Sequence, residues 1–244
     1  MIRNFIFFSL LTIFIQPQLL AKSITVAVAA NFAEPMKIIL KQFELLHSNI
    51  DTTLVIGSSG KLFAQIQQGA PFDLFLSADQ EKPNELIRLK LAVPHSQFTY
   101  AKGILVLWSK QNLAPSYQTL KTFKGNLAIA NPKLAPYGVA AKQVLAHYHN
   151  KNIQLISANN VIGAFQYIHS NSVKMGLIAK SSLIHADIDL KQSWDIDKSL
   201  YSEILQDLVI ITSSDEVKLL STYMKSSEVQ SIIESFGYQR GSYE

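Results

Sequence analysis

Apolar residues in the first half of the chain follow two alternating patterns. Short and nearly continuous apolar runs are typical of strands that are buried on both faces. These runs are residues 24–30, 52–56 and 73–77. Between them, residues 34–47 and 61–68 carry apolar side chains at helical spacing, with Pro35 near a helix start and Gly69 at a helix end. This alternation predicts an α/β fold with a mostly parallel sheet covered by helices.

The second half of the chain continues the alternation. Further strands are predicted at residues 104–108, 127–130, 153–157, 173–179 and 208–212. Helical spacing extends to about residue 149 and recurs at residues 161–169, 214–225 and 228–236. Breaks in the pattern near 98–104 and 205–210 predict two lobes. We expect lobe I to contain residues 22–102 and 207–244, and lobe II to be inserted as residues 103–206.

The first 21 residues differ from the rest of the chain. They contain one cation, Arg3, then an apolar stretch from Phe5 to Ile15, and they end in Leu19-Leu20-Ala21. This order predicts a secretory signal peptide over residues 1–21. A membrane anchor is the alternative, but the stretch is shorter than the roughly 20 residues that a spanning helix needs. We therefore expect a soluble periplasmic protein.

Charge and cysteine content narrow the class of protein further. The chain has 22 basic and 18 acidic residues, and the lysines are scattered instead of clustered. Scattered lysines favour a solvated surface over a nucleic-acid partner. Cysteine is absent, which excludes both disulfides and a lipid-modified cysteine at the cleavage site.

Four loops deliver small polar residues to the start of a predicted helix. They are Ala30-Asn31, Gly57-Ser58-Ser59-Gly60, Ala135-Pro136-Tyr137-Gly138 and Asn159-Asn160-Val161-Ile162-Gly163. Free backbone N–H groups and the positive end of the helix dipole favour anions at such positions. Hydrogen bonds to a charged ligand contribute roughly 1.5–3 kcal/mol each, so about five to seven of them hold an oxyanion without a basic residue. The alternative for any one loop is that its residues only cap the helix.

Other kinds of site fit the sequence less well. A P-loop at residues 57–61 needs Gly and Ser or Thr where Val55 and Leu62 stand. A nucleophile elbow centred on Ser59 needs Gly at Lys61. The spacing of His147 and His149 points them to different helix faces, so we expect no residue to ligate a metal directly.

Several segments, in order, resemble the molybdate-binding (ModA-type) family of periplasmic solute-binding proteins. The resemblance covers about residues 24–238. It is carried by residues 57–60 and 69–79, 98–109, 130–138, 158–164 and 175–179. It implies the type II periplasmic binding protein fold, in which two α/β lobes with mixed, mostly parallel sheets are joined by two crossover strands. It also implies a protein that is not an enzyme and that needs no cofactor.

The resemblance implies a ligand and the residues that bind it. The ligand is molybdate or tungstate, bound through its oxygens and passed to the permease and ATPase of an ABC importer by a monomeric binding protein. The expected contacts are Asn31, Ser59 with Ser58 beside it, and the backbone N–H groups of Tyr137 and Val161. Asn31 stands where the family usually has a serine, which resembles the subgroup with Asn in the first ligand loop. Many family members also have a tyrosine where this chain has Ala179, so the resemblance implies one side-chain donor fewer, as in that subgroup.

Two alternatives stay open from the sequence. The same fold binds other oxyanions, such as sulfate or phosphate, or organic anions. A secreted hydrolase using Ser59 or Asp79 is the other alternative, although no histidine accompanies either residue in a motif.

Overall fold

The computed structural model describes residues 22–111 and 115–242. The predicted signal peptide, residues 1–21, lies outside these ranges. Within them, every helix is either too short or too polar to cross a bilayer.

Strands and helices alternate through the described residues, with short 3₁₀ turns between some of them. The strands are β1 (Lys22–Ala29), β2 (Ile50–Gly57), β3 (Leu74–Leu76), β4 (Phe98–Gly103), β5 (Leu105–Trp108), β6 (Gly125–Ala130), β7 (Ile153–Ala158), β8 (Met175–Ala179), β9 (Ser193–Asp195), β10 (Ile204–Ile210) and β11 (Gln239–Ser242). The helices are α1 (Ala33–Leu46), α2 (Ser59–Gln67), α3 (Glu81–Arg88), α4 (Tyr117–Thr122), α5 (Pro136–Tyr148), α6 (Val161–His169), α7 (Lys180–His185), α8 (Asp215–Tyr223) and α9 (Ser227–Ser235).

Two mixed sheets form the centres of the two lobes. The first has the strand order β11-β4-β10-β3-β1-β2, and the second has the order β7-β6-β8-β5-β9. Strand β1 pairs in parallel with β2 and β3, and β6 pairs in parallel with β7 and β8. The other pairs are antiparallel. The predicted two-lobe α/β fold with mixed sheets is confirmed. Among the described strands, four pairs are parallel and five are antiparallel, so parallel pairing is not in the majority.

The chain crosses between the lobes at two places. β4 ends in the first sheet at Gly103, and β5 begins in the second sheet at Leu105. The return crossing leads into β10, which pairs with β4 from Ile204 onward and has a register shift between Gln206 and Asp207. The predicted lobe limits at 102/103 and 206/207 stay a prediction, and both lie within these crossing strands.

Each lobe has its own apolar core. Ile24, Val26 and Phe43 belong to a core around the first sheet, and Trp108 and Leu177 belong to a core around the second. The continuous apolar runs β1 and β8 are buried on both faces, as the sequence pattern predicts. The cores fix the sheets, and the carboxyl ends of β1, β2, β6 and β7 lead into the loops that form the site.

Candidate oxyanion site between the lobes

Residues from all four predicted loops line one small cavity between the lobes. Its wall consists of Ala30, Asn31, Ser59, Ala78, Ala135, Pro136, Tyr137, Asn160 and Val161. Four of the five sequence-predicted residues are therefore brought together, and Ser58 is the exception. The loops meet because parallel strands direct their carboxyl ends, and the helix starts that follow, to one edge of a sheet.

Contacts between the lobes surround this cavity. The Gly60 N–H at the start of α2 donates to the Leu134 carbonyl at 2.9 Å. On the other side, the Ser181 hydroxyl in α7 donates to the Asn31 carbonyl at 3.4 Å. His185 also lies 3.8 Å from the Glu34 carboxylate. The structure is therefore a closed form, in which the lobes contact each other on both sides of the cavity.

Ser59 is held in one orientation by its neighbour across the loop. It is the first residue of α2 and only 1% exposed, and its Oγ accepts a hydrogen bond from the Ala78 N–H at 2.9 Å. Within the described residues its own O–H has no acceptor. A hydroxyl that already accepts a hydrogen bond presents its proton as a donor, and Ser59 lies on the cavity wall.

Ser58 has a different part in the same loop. It is the N-cap of α2, and its Oγ accepts from the Lys61 N–H at 3.4 Å. It is buried but does not line the cavity. The sequence could not separate the two serines, because either one fits an N-cap by residue type.

The starts of α5 and α6 supply backbone donors from lobe II. Tyr137 is the second residue of α5, after Pro136, and Val161 is the first residue of α6. N–H groups at these positions have no partner inside their own helix. The Asn160 side chain instead caps Gly163 of α6, at 2.9 Å. Among the residues that the structure describes, the Tyr137 and Val161 N–H groups have no acceptor, and both lie beside the cavity.

The Asn31 side chain is directed into lobe I by hydrogen bonds. Asn31 lies in a 3₁₀ turn after β1. Its Nδ2 donates to Gln206 Oε1 at 2.7 Å and lies 3.3 Å from the Tyr238 hydroxyl. The Tyr238 hydroxyl also donates to the Asn31 carbonyl at 2.6 Å. Both amide hydrogens thus have acceptors within the protein, so the loop is firmly positioned.

The cavity wall is uncharged. None of the lining residues that the structure describes is acidic or basic. Burial raises the pKa of the Tyr137 hydroxyl well above its usual value, and the neighbouring Gln206 amide opposes this rise. Burial likewise raises the pKa of Tyr238, and its hydrogen bonds with Ser181 and Asn31 oppose this rise. These phenols stay neutral, and an anion in the cavity meets donors without a repelling charge.

Ala179 does not line the cavity. Ala179 is fully buried at the end of β8. Two residues later, the Ser181 hydroxyl lies 2.9 Å from the Tyr238 hydroxyl.

Among the described residues, no group of three or more His, Cys, Asp or Glu side chains has an arrangement that suits a metal ion.

The sequence did not point to four buried polar residues behind the cavity: Tyr100, Ser181, Gln206 and Tyr238. They are connected to one another or to Asn31 by hydrogen bonds. One signal was available. Gln206 and Asp207 interrupt an apolar strand, and buried polar residues in a strand usually have a specific partner.

Two closed lobes with an uncharged, donor-lined cavity between them define a solute-binding protein. Residues 24–239 match the family described as bacterial extracellular solute-binding protein. The chain belongs to this family, within it to the ModA-type proteins, and is a binding protein and not an enzyme.

Two relatives and one solved structure support this assignment. The molybdate-binding protein ModA of Rhodobacter capsulatus is 36% identical over 226 residues, which cover 89% of this chain and 88% of the relative. The ModA protein of Azotobacter vinelandii is 37% identical over 233 residues, covering 89% and 90%. The structure of the periplasmic molybdate-binding protein of Azotobacter vinelandii superposes with a TM-score of 0.80 at 33% identity, covering 88% of this chain and 98% of that one.

Proposed function

We propose that this protein captures molybdate or tungstate between its lobes and delivers the anion to an ABC importer. One observation carries the proposal. The Ser59 hydroxyl and the Tyr137 and Val161 N–H groups lie on one uncharged cavity wall, and none of them has an acceptor within residues 22–111 and 115–242. The ligand named for the two ModA relatives supports the choice of anion.

An anion in this cavity is stabilised by hydrogen bonds and helix dipoles together. The N-termini of α2, α5 and α6 face the cavity, and each carries a partial positive charge. Each hydrogen bond to a charged ligand contributes roughly 1.5–3 kcal/mol. Asn31 lines the same wall, where Gln206 and Tyr238 hold its loop in place. We assign Ser58 to capping α2, outside the contact set.

Discrimination against phosphate follows from the donors. Phosphate carries a proton near neutral pH, and a wall made of donors offers that proton no acceptor. The Ser59 oxygen is already used by the Ala78 N–H. Sulfate is unprotonated like molybdate but smaller. Its rejection therefore depends on the distances between the donors and the oxygens of the smaller anion, and not on protonation.

Delivery requires a mobile carrier outside the inner membrane. We propose that residues 1–21 direct the chain to the periplasm and are removed there. The mature protein then acts as a monomer and presents its closed form to a permease, whose partner ATPase drives import.

Calorimetric titration of the mature protein with four sodium salts tests this function. We expect molybdate and tungstate to bind at least 100-fold more tightly than sulfate or phosphate, since unpaired buried polar groups cost several kcal/mol. Sulfate or phosphate binding as tight as molybdate would overturn the ligand assignment. An absence of heat with all four salts would overturn the oxyanion function itself.

A further inference from the structure

Gln206 lies behind the cavity, where the two crossing strands meet. It belongs to β10, is fully buried, and stands at the register shift of that strand. Its Oε1 accepts hydrogen bonds from Asn31 Nδ2 at 2.7 Å and from the Tyr100 hydroxyl at 3.1 Å. A bulge of this kind re-aims a side chain, and here it directs the amide towards the ligand loops.

The other end of the Gln206 amide faces lobe II. Its Nε2 and the Tyr137 hydroxyl are both buried, and within the described residues neither has a hydrogen-bond partner. Both lie beside Gly103, where a Cβ would come within 2.9 Å of Nε2 and 2.3 Å of the hydroxyl. The two groups are therefore close together across the crossing strands, and the amide already lowers the pKa of the hydroxyl although no full hydrogen bond joins them.

Tyr137 connects the Gln206 amide to the cavity. Its backbone N–H is free at the start of α5 on the cavity wall, while its ring passes behind the wall to Gln206. A small shift of α5 towards a bound anion moves the hydroxyl as well. Gln206 therefore contacts a donor loop of lobe I through its oxygen and lies next to a donor helix of lobe II through its nitrogen.

We propose that Gln206 is a positioning residue that couples the donors of the two lobes. Its oxygen fixes the Asn31 loop, and its Nε2 hydrogen-bonds to the Tyr137 hydroxyl once the anion draws in α5. The pair then holds the closed form around the ligand without touching it. This proposal rests on the oxyanion function proposed above.

A double-mutant cycle on Tyr137→Phe and Gln206→Met tests the coupling, with sodium molybdate as the probe. Tyr137→Phe keeps the backbone N–H and removes only the hydroxyl, so binding should weaken about 2- to 12-fold. Gln206→Met should weaken binding more, because it also releases Asn31. The double variant should be weaker than Gln206→Met by less than the Tyr137→Phe effect alone.

Kinetics separate positioning from a general structural role. Because the pair aligns only in the closed, occupied form, its loss should raise the dissociation rate and leave the association rate unchanged. Tyr148→Phe is the matched control. It removes another buried hydroxyl that has no partner in the described part of the chain, on the same helix but at the far end from the cavity. It should leave both rates as in the wild type.

The outcomes distinguish this inference from the proposed function. If the wild type binds molybdate but Tyr137→Phe dissociates at the wild-type rate and the cycle is additive, Gln206 is not a positioning residue. If the wild type binds no molybdate, the proposed function fails. In that case the inference is overturned with it, because the pair is proposed to form only around a bound anion; only binding by the wild type together with an additive cycle overturns the inference alone.

Discussion

Ser58 and Ser59 are neighbours in the chain with different hydrogen bonds. Ser58 accepts from the backbone of its own helix, while Ser59 accepts from Ala78 and keeps a free proton at the cavity. The chain thus has two adjacent buried serines, of which only Ser59 lines the cavity.

Substitution of Ser59 should weaken binding, whereas substitution of Ser58 should lower stability. Ser59→Ala should weaken molybdate binding about 10- to 150-fold, the value of one hydrogen bond to an anion. Ser58→Ala should lower the free energy of unfolding by about 1 kcal/mol through loss of the cap, with affinity unchanged. Titration and urea unfolding of both variants check this. Equal affinity losses would show that the serine roles are assigned wrongly.

At the scale of single residues, the sequence predicted which residues lie together better than it predicted the direction of their side chains. Asn31, Ser59, Tyr137 and Val161 do line one cavity. The direction of the Asn31 amide was not predictable, because its partners Gln206 and Tyr238 are 175 and 207 residues away in the chain. Local patterns report helix starts, and they carry no information on such distant side-chain contacts.

Among the elements, α5 depends on a close approach of its first turn to the preceding loop. A Cβ on Gly138 would lie 2.3 Å from the Ala130 carbonyl oxygen and 2.7 Å from the Pro132 nitrogen. These atoms belong to the backbone and have little freedom to move. Only glycine at position 138 allows the first turn of α5, including the Tyr137 N–H, to lie against the cavity.

Gly138→Ala should therefore displace α5 and impair both folding and binding. We expect a loss of about 1–3 kcal/mol in the free energy of unfolding, typical of overpacking, together with weaker molybdate binding. Gly69→Ala is the control. It has a positive φ of 82° but no atom within 4 Å of the added methyl, and it lies far from the cavity. It should lower stability and leave the affinity of the folded protein intact. Unchanged binding in Gly138→Ala would contradict this role of α5.

The elements themselves were largely predictable where apolar residues run continuously. The runs at 24–30 and 173–179 correspond to β1 and β8. β10 was predicted at 208–212 but begins at Ile204, because Gln206 and Asp207 interrupt the apolar pattern although both are buried. The hydroxyl of Thr99 and the side-chain amide of Gln97 hydrogen-bond to Asp207. When buried polar residues of a strand have hydrogen-bond partners far away in the chain, the local apolar pattern does not predict that part of the strand.

At the scale of the whole molecule, the two lobes are connected by strands and close over one cavity. The contacts between the lobes include the hydrogen bonds of Gly60 with Leu134 and of Ser181 with Asn31, and the stacking of His185 on Phe236. Interfaces of this kind allow hinge motion of the lobes about the connecting strands. We predict that the hinge lies near residues 101–103 and 206–207.

Solution scattering should detect this closure. The radius of gyration should fall when molybdate is added to the wild type. In Gly103→Ala the fall should be smaller, because the added methyl would lie 2.3 Å from the Tyr137 hydroxyl and oppose the closed form. Equal profiles for the wild type with and without saturating molybdate would contradict the closure.

The central claim is that uncharged donors at helix starts bind a tetrahedral oxyanion between the lobes. A crystal structure of the mature protein with tungstate tests it most directly, since anomalous scattering locates the tungsten atom. We predict tungstate oxygens within about 2.7–3.2 Å of Ser59 Oγ and of the Tyr137 and Val161 nitrogens, as hydrogen bonds require. Tungsten located elsewhere, or held by a lysine or arginine side chain, would contradict the claim.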